Sequence, residues 1–174
     1  MLRVLGVGEL LITNDPEDTL ITFALGSCVA LTIYSSSQKV LGMAHIALPD
    51  STIDPLKSLQ SPGYFADTAV PGMVEKFLKQ YHCHGWELNI RLFGGATAVW
   101  NDDSFQIGVR NLEAVTAILQ NYRLACETSQ TGGRFSRTIA VSVKDGKVKV
   151  HQQPLNSAQP IEGSPPGKLA ILPN

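Results

Sequence analysis

Short segments rich in β-branched and aromatic residues dominate the sequence, and only two stretches repeat apolar side chains at the three- and four-residue spacing of a helix. Turn-forming Asn, Asp, Gly and Pro residues separate the segments. Strands that mostly follow one another through hairpins, with two helices between them, are typical of layered α+β folds. We therefore predict an α+β layered sandwich of mostly antiparallel strands. Its strands are expected at residues 4–12, 19–24, 29–34, 40–48, 86–93 and 124–129, with a hairpin around Asp145-Gly146 at 137–150.

Two amphipathic helices complete the predicted fold. The first follows from the apolar spacing within residues 65–81, and Pro71 fits its first turn if Thr68 is the N-cap, because a proline there removes no intrahelical hydrogen bond. Gly85 is expected to end this helix as a C-cap. The second helix is expected at residues 112–122.

The length and composition indicate one domain. A chain of 174 residues with 44% apolar content can bury a substantial core. Beyond residue 153 the composition shifts to Pro, Ser, Gly and Gln, which supply too little apolar surface to offset the entropy of ordering the chain. We therefore predict a domain over residues 1–153 and a flexible C-terminal tail over residues 154–174. Residues 49–63 contain several prolines and polar residues and are expected to form a surface loop.

The charge balance argues against nucleic acid or an anionic membrane as a partner. Fourteen basic and fifteen acidic residues give a formal net charge of -1, with no basic cluster on a predicted face. No apolar run approaches the roughly 20 residues of a membrane span, and the N-terminus does not resemble a secretory signal. We expect a cytoplasmic protein without membrane insertion, in which Cys28, Cys83 and Cys126 are free thiols.

Cys28 is the candidate nucleophile. A cysteine attacks as the thiolate and needs local help, commonly from a histidine or from backbone N–H groups that a glycine makes accessible. Gly26 and Ser27 directly precede Cys28, and their backbone is the candidate support for a developing oxyanion.

His45 is the candidate base. If residues 29–34 and 40–48 form a hairpin, equal reach from the turn places Cys28 opposite about residue 46. His45 is within one residue of that position, which is the error of a boundary predicted from sequence. The spacing therefore predicts that the sulfur and the imidazole are neighbours if they share a face of the sheet.

These three residue types also have ordinary structural uses. Free cysteine is among the most buried residue types, so Cys28 can equally be a small core residue and His45 a hydrogen-bonded core histidine. Thr22 lies on the strand that leads to Cys28, and its hydroxyl can hold the imidazole in the tautomer whose free nitrogen faces the sulfur. It can also be an ordinary β-branched strand residue.

The triplet His82-Cys83-His84 contains metal-ligand side chains, but adjacent helix positions point in different directions and no second ligand pair has the usual spacing. We interpret it as a helix end at which the dipole favours histidine. Zinc nucleobase deaminase and phosphate-loop motifs do not occur in the sequence. We predict neither a metal nor an organic cofactor.

Six separated motifs, in order, resemble those of the CheD family of chemoreceptor glutamine deamidases across roughly residues 4–150. They are GVGEL at 6–10, ALGSCVAL at 24–31, GMAHIALP at 42–49, FGGA at 93–96, IGVRN at 107–111 and GGRFSR at 132–137.

The resemblance implies an α/β/β sandwich and a function. The family cysteine follows Gly-Ser in the second motif, its histidine follows Gly-Met-Ala in the third, and its threonine lies six positions before the cysteine. These roles carry over to Cys28, His45 and Thr22. The implied reaction is hydrolysis of the side-chain amide of glutamines on methyl-accepting chemotaxis receptors. The resemblance to related members also implies cleavage of the glutamyl methyl ester.

The resemblance also implies a protein-binding surface. Phe93, Gly94, Gly95, Arg110 and Asn111 lie in two of the motifs and are predicted to contact the receptor substrate or a partner. The alternative function is a binding module that docks on a CheC-type chemotaxis phosphatase through the surface around the cysteine.

Overall fold

The computed structural model describes residues 1–97, 105–155 and 170–171. Over these residues the chain forms two five-stranded sheets and three α-helices. In chain order the elements are β1 (Leu2–Leu5), β2 (Leu10–Thr13), β3 (Thr19–Leu25), β4 (Val29–Ser35), β5 (Val40–Ile46), α1 (Pro55–Gln60), α2 (Ala66–Glu75), β6 (Leu88–Gly94), α3 (Ile107–Asn121), β7 (Glu127–Thr131), β8 (Phe135–Ser142), β9 (Val148–Pro154) and β10 (Ala170–Ile171).

The strands form a central and an outer sheet. The central sheet has the order β2-β5-β4-β6-β7, and the outer sheet has the order β1-β3-β8-β9-β10. Most neighbouring strands are antiparallel, whereas the pairs β1–β3 and β6–β7 are parallel. The β6–β7 connection contains α3, as expected because parallel neighbours need a long crossover.

Two apolar layers hold the fold together. Helices α2 and α3 pack on one face of the central sheet, and the outer sheet packs on its other face. Every residue of β4 and β5 is buried, because this hairpin is covered on both sides. The arrangement confirms the predicted α+β layered sandwich of mostly antiparallel strands with two main amphipathic helices.

The single strand predicted at residues 4–12 is wrong. The structure divides it into β1, which joins the outer sheet, and β2, which joins the central sheet. Gly8 has a φ of +83° in the turn between them, and the Glu9 carboxylate accepts a hydrogen bond from the Gly6 N–H. The turn carries the chain from the outer sheet to the central sheet, so the residues predicted as one strand belong to two different layers.

Residues 49–63 are more ordered than the predicted loop. They contain a 3₁₀ turn, Ser51–Ile53, and the short helix α1. The Asp54 carboxylate caps α1 by accepting a hydrogen bond from the Lys57 N–H, and Pro55 occupies the first helical position. Aspartate followed by proline is a helix-start signal that the sequence offers and that the loop prediction overlooked.

The first long helix begins earlier than predicted. Phe65 is the N-cap of α2, and the Thr68 hydroxyl donates to the Phe65 carbonyl from inside the first turn. Pro71 therefore lies in the helix interior, where the Asp67 carbonyl loses its usual N–H partner. Burial of the apolar face of α2 against the central sheet outweighs that loss.

The end of this helix also differs from the prediction. A π-helical turn, Lys76–Gln80, continues α2, and His82 then adopts a left-handed conformation with a φ of +52°. Gly85 is not the C-cap but opens a 3₁₀ turn, Gly85–Glu87, that leads into β6. The histidine takes the conformation that usually favours glycine.

The C-terminal elements agree with the predicted hairpin. Strands β8 and β9 pair around a turn in which Gly146 has a φ of +67°. Within the predicted tail, Pro154 is the last residue of β9, and Ala170–Ile171 pairs with Val150 and Lys149. The rest of the tail, residues 156–169 and 172–174, lies outside the described residues, so the division at residue 153 stays a prediction. No helix in the described part of the chain is long and apolar enough to cross a membrane.

Candidate active site

The β4–β5 hairpin brings Cys28 and His45 to one face of the central sheet. Its register pairs Ala30 with His45 and Val29 with Ile46, so the predicted pairing is off by one residue. Cys28 lies two residues before Ala30 and packs, like Ala30, against the core between the sheets. Cys28 therefore lies just beyond the last pair of the ladder, on the sheet face that also carries Ala30 and His45.

Thr22 approaches His45 from the outer sheet. The two residues are buried, and the Thr22 Oγ1 lies 2.7 Å from the His45 Nδ1. The same hydroxyl donates to the Leu5 carbonyl at 2.8 Å. Because a hydroxyl has one proton, the proton on the Thr22–His45 bond must come from Nδ1. The Nε2 of the neutral ring is then the unprotonated nitrogen.

The unprotonated nitrogen of His45 is unpartnered within the described part of the chain. Its Nε2 is buried and makes no hydrogen bond with any described group, the Cys28 sulfur included. The backbone of His45 is held as well, since its carbonyl accepts from the Gly8 N–H at 2.8 Å and its N–H donates to the Glu9 carbonyl at 3.0 Å. Both backbone partners belong to the GVGEL motif, which therefore positions the imidazole.

The chain before Cys28 is shaped by an irregularity in β3. The pairing of β3 with β8 shifts between Thr22 and Leu25, just before the turn that leads to Cys28.

 
Ala24 has a φ of +54°, a left-handed conformation that glycine adopts more readily. Leu25 then turns into the core, whereas Gly26 is half-buried and Ser27 is exposed.

Residues 94–96 support the cysteine loop from the side of β6. The Gly95 N–H donates to the Cys28 carbonyl at 2.8 Å, and the Ala96 N–H donates to the Gly26 carbonyl at 2.8 Å. Gly94 has a φ of +90°, and a Cβ on it would lie 2.4 Å from the Cys28 carbonyl oxygen. The close approach therefore requires glycine at position 94.

Burial sets the resting protonation of the pair. It raises the pKa of the Cys28 thiol, with a backbone hydrogen bond opposing the effect, and it lowers the pKa of the His45 imidazole. Both shifts favour the neutral form of the group. Near neutral pH, Cys28 is therefore a thiol and His45 a neutral imidazole.

Most residues of the predicted partner surface are not exposed. Phe93, Gly94, Gly95 and Asn111 are buried, and their contact with a receptor or partner stays a prediction. Phe93 packs between the sheets and the two glycines support the cysteine loop. Arg110 is exposed, and its role in binding stays a prediction.

Asn111 is a site residue whose position the sequence did not reveal. Its side chain is 0% exposed, and its Nδ2 donates to the Ser27 carbonyl at 3.1 Å and to the Ala47 carbonyl at 2.9 Å. The IGVRN motif singled out the residue, but no local pattern indicates its contacts with Ser27 and Ala47, which precede it by 84 and 64 positions in the sequence.

Metal-ligand side chains do not converge in the described residues, which contain no group of three or more His, Cys, Asp or Glu arranged to hold an ion. In the triplet of residues 82–84, Cys83 is buried and His84 stacks on Trp86, with ring centroids 5.7 Å apart. The stacking gives His84 a packing role at the start of the turn before β6.

Comparisons with known proteins place the chain in a family. A family model described as CheD chemotactic sensory transduction matches residues 47–152. A probable chemoreceptor glutamine deamidase CheD from Syntrophotalea carbinolica is 38% identical, covering 84% of this chain and 91% of its own. The chemoreceptor glutamine deamidase CheD of Thermotoga maritima is 34% identical, covering 87% of this chain and 92% of its own. With a family model matching more than half of its length and relatives aligned over most of theirs, this chain belongs to the CheD family.

Proposed function

We propose that this protein is a cysteine-dependent glutamine deamidase that acts on chemoreceptors. Its relatives carry the name chemoreceptor glutamine deamidase. The observation that carries the proposal is the Thr22–His45 hydrogen bond of 2.7 Å, which leaves the His45 Nε2 unprotonated on the sheet face against which Cys28 packs. A neutral imidazole with a free nitrogen is what a resting thiol needs to lose its proton.

The first half of the reaction forms a thioester. As the Cys28 sulfur attacks the carboxamide carbon of a receptor glutamine, the thiol proton moves to His45 Nε2. Backbone N–H groups at Gly26 to Cys28 are the candidates to stabilise the oxyanion. The C–N bond then breaks, and the imidazolium returns its proton to the leaving nitrogen, which departs as ammonia.

The second half restores the enzyme. His45 takes a proton from a water molecule that attacks the thioester carbon, and the proton then passes to the departing sulfur. The products are a receptor glutamate and ammonia, and one water is consumed for each amide. The atoms balance without a metal or an organic cofactor.

The space beside the cysteine suits a side-chain substrate. A Cβ built on Gly26 meets no atom of the described residues within 4 Å, so this side of the backbone is open among them. Cys28 itself is partly accessible. We expect the glutamine side chain to reach the Cys28 sulfur from this open side.

Ammonia release from a receptor cytoplasmic fragment tests the proposal. Each deamidation adds about 1 Da to the fragment, because an NH₂ group is replaced by OH, and Cys28→Ala should abolish both signals. Cys126→Ala is the matched control, since it removes another partly buried thiol and should retain turnover. Turnover by the Cys28→Ala protein would show that another group is the nucleophile.

Docking on a CheC-type phosphatase is the second candidate function. Exposed apolar side chains in the segment after β5 favour a protein partner, since Ile53, Leu56 and Leu59 are 60%, 72% and 82% exposed. Phosphatase binding by the Cys28→Ala protein would show that docking is separable from catalysis. If the wild-type protein binds the phosphatase but releases no ammonia, the binding module is the correct function. A cytoplasmic location is part of the same proposal.

A further inference from the structure

The Asn111 side chain joins the two strand ends that carry the candidate catalytic pair. Its Nδ2 contacts two backbone carbonyls, those of Ser27 and Ala47. A carbonyl can only accept a hydrogen bond, so the two hydrogens of the amide nitrogen are the atoms that meet them. This requirement determines which end of the amide faces the carbonyls: the Nδ2 and not the Oδ1.

The positions of the two carbonyls give the contact its importance. Ser27 directly precedes Cys28, and Ala47 follows His45 by two residues. The β4–β5 ladder ends at the pair of Val29 and Ile46, so both carbonyls lie just beyond it. Asn111 therefore connects the strand ends at the point where the ladder no longer does so.

Helix α3 is held close enough for this contact by a glycine. A Cβ on Gly108 would lie 2.3 Å from the Ala96 carbonyl oxygen, so the helix packs directly against the backbone of residues 95–96. The same residues donate hydrogen bonds to the carbonyls of Cys28 and Gly26. The start of α3, residues 95–96 and the cysteine loop thus form one packed unit.

An asparagine at this position carries an energetic cost. The side chain is fully buried, and its Oδ1 has no hydrogen-bond partner among the described residues. A buried acceptor without a partner is unfavourable. The two donated hydrogen bonds are therefore the feature that distinguishes asparagine from an apolar side chain of similar shape.

We propose that Asn111 is a positioning residue that sets the separation of Cys28 and His45. The inference rests on the proposed function of this pair. Asn111 acts through the backbone of Ser27 and Ala47 and does not touch the reacting atoms. Small displacements of reacting groups lower the chemical rate strongly, whereas the fully buried Asn111 side chain has no surface with which to contact the receptor.

Asn111→Asp is the first test, because it preserves the shape and replaces the two N–H donors. It should lower kcat for ammonia release by about 10- to 100-fold and leave KM within about threefold of the wild-type value. Val115→Ala is the matched control, since Val115 lies one turn further along α3 and is also fully buried. The control should lose stability and keep its kcat at a temperature where both variants are folded.

Alkylation of Cys28 supplies a second readout that general loosening of the fold does not reproduce. At neutral pH, Asn111→Asp should slow iodoacetamide modification of Cys28, mapped by mass spectrometry, as much as His45→Ala does. Asn111→Leu repeats both measurements without a buried carboxylate, if the aspartate prevents folding.

The outcomes separate the inference from the function on which it rests. Turnover by Cys28→Ala overturns the proposed function. If Cys28→Ala is inactive while Asn111→Asp and Asn111→Leu keep the wild-type kcat and alkylation rate, only the positioning role is overturned. Equal losses of kcat in Asn111→Asp and Val115→Ala overturn it too, because they indicate a general packing effect.

Discussion

The hydroxyl of a single residue, Thr22, orients the His45 imidazole. Thr22 is fully buried, and a carboxylate at its position would place a charge in the apolar space between the sheets. Burying a charge is costly unless it is fully paired. A threonine that donates to Leu5 and accepts from His45 selects the same tautomer while remaining neutral. The protein thus orients its candidate base without an ionised third residue.

Thr22→Val tests this orienting role. The substitution keeps the shape but leaves the His45 Nδ1–H and the Leu5 carbonyl without their partner, so we expect kcat to fall by about 10- to 100-fold. Unpaired buried groups should also lower the free energy of unfolding by about 1–3 kcal/mol. Turnover and urea unfolding measure the two effects. Thr22→Ser keeps the hydroxyl and should restore most of the activity; equal turnover in Val and Ser variants would contradict the role.

The pH dependence of activity should follow the protonation of His45. Burial lowers its pKa below the ordinary value of 6.5, so the ring stays neutral as the pH falls through 6.5 and becomes protonated only in more acid solution. A general base must be neutral in the free enzyme. The acid limb of kcat/KM for ammonia release should therefore have its midpoint below pH 6.5. A midpoint above 6.5 would contradict the lowered pKa of His45.

Among the secondary-structure elements, loops and strand ends position the candidate catalytic residues. The β1–β2 turn holds the backbone of His45, and residues 95–96 hold the cysteine loop. The bulge in β3 lies between Thr22 and Leu25, so it separates the orienting hydroxyl from the turn that leads to the cysteine. Each of these elements is irregular where it meets the site, as is common for bulges near active sites.

Ala24→Gly should stabilise the protein. The left-handed conformation costs an L-residue about 1–2 kcal/mol, which glycine avoids. The greater freedom of glycine in the unfolded chain opposes this gain by about 0.4–1 kcal/mol. We expect the free energy of unfolding to rise by up to about 1 kcal/mol in urea titrations. Ala30→Gly in β4 is the control and should destabilise, because Ala30 is buried in a regular strand. A less stable Ala24→Gly protein would refute the strain at the bulge.

The site lies between two sheets at the scale of the whole molecule. Thr22 belongs to the outer sheet and His45 to the central sheet, so their hydrogen bond depends on how the sheets pack. The helices cover the opposite face of the central sheet. Inter-sheet packing should therefore influence the imidazole more directly than helix packing does.

Two leucines in different layers test this dependence. Leu20→Ala, between the sheets, and Leu119→Ala, in the helix layer, remove fully or almost fully buried side chains and should each lower the free energy of unfolding by about 2–5 kcal/mol. At a temperature where both are folded, Leu20→Ala should reduce kcat and shift the acid limb, while Leu119→Ala should retain both. Identical pH profiles of ammonia release would argue against coupling through the inter-sheet core.

Several features of the fold and site could be predicted from the sequence. The β4–β5 hairpin register was correct within one residue, and Asp145-Gly146 located the turn of the β8–β9 hairpin. Hairpin registers depend on contacts between residues near in sequence. The start of α2, by contrast, was misplaced because Pro71 was interpreted by local rules, whereas the burial of the helix against the sheet decides its extent.

By itself the sequence determined the α+β class and the main hairpins, including the β4–β5 register to within one residue, because strand preference and hairpin geometry act over short distances along the chain. Only the tertiary structure decided that residues 2–13 serve two sheets, that Thr22 meets His45 between those sheets, and that Asn111 is buried against the strand ends. These contacts join segments far apart in the sequence, and the packing of whole layers selects them.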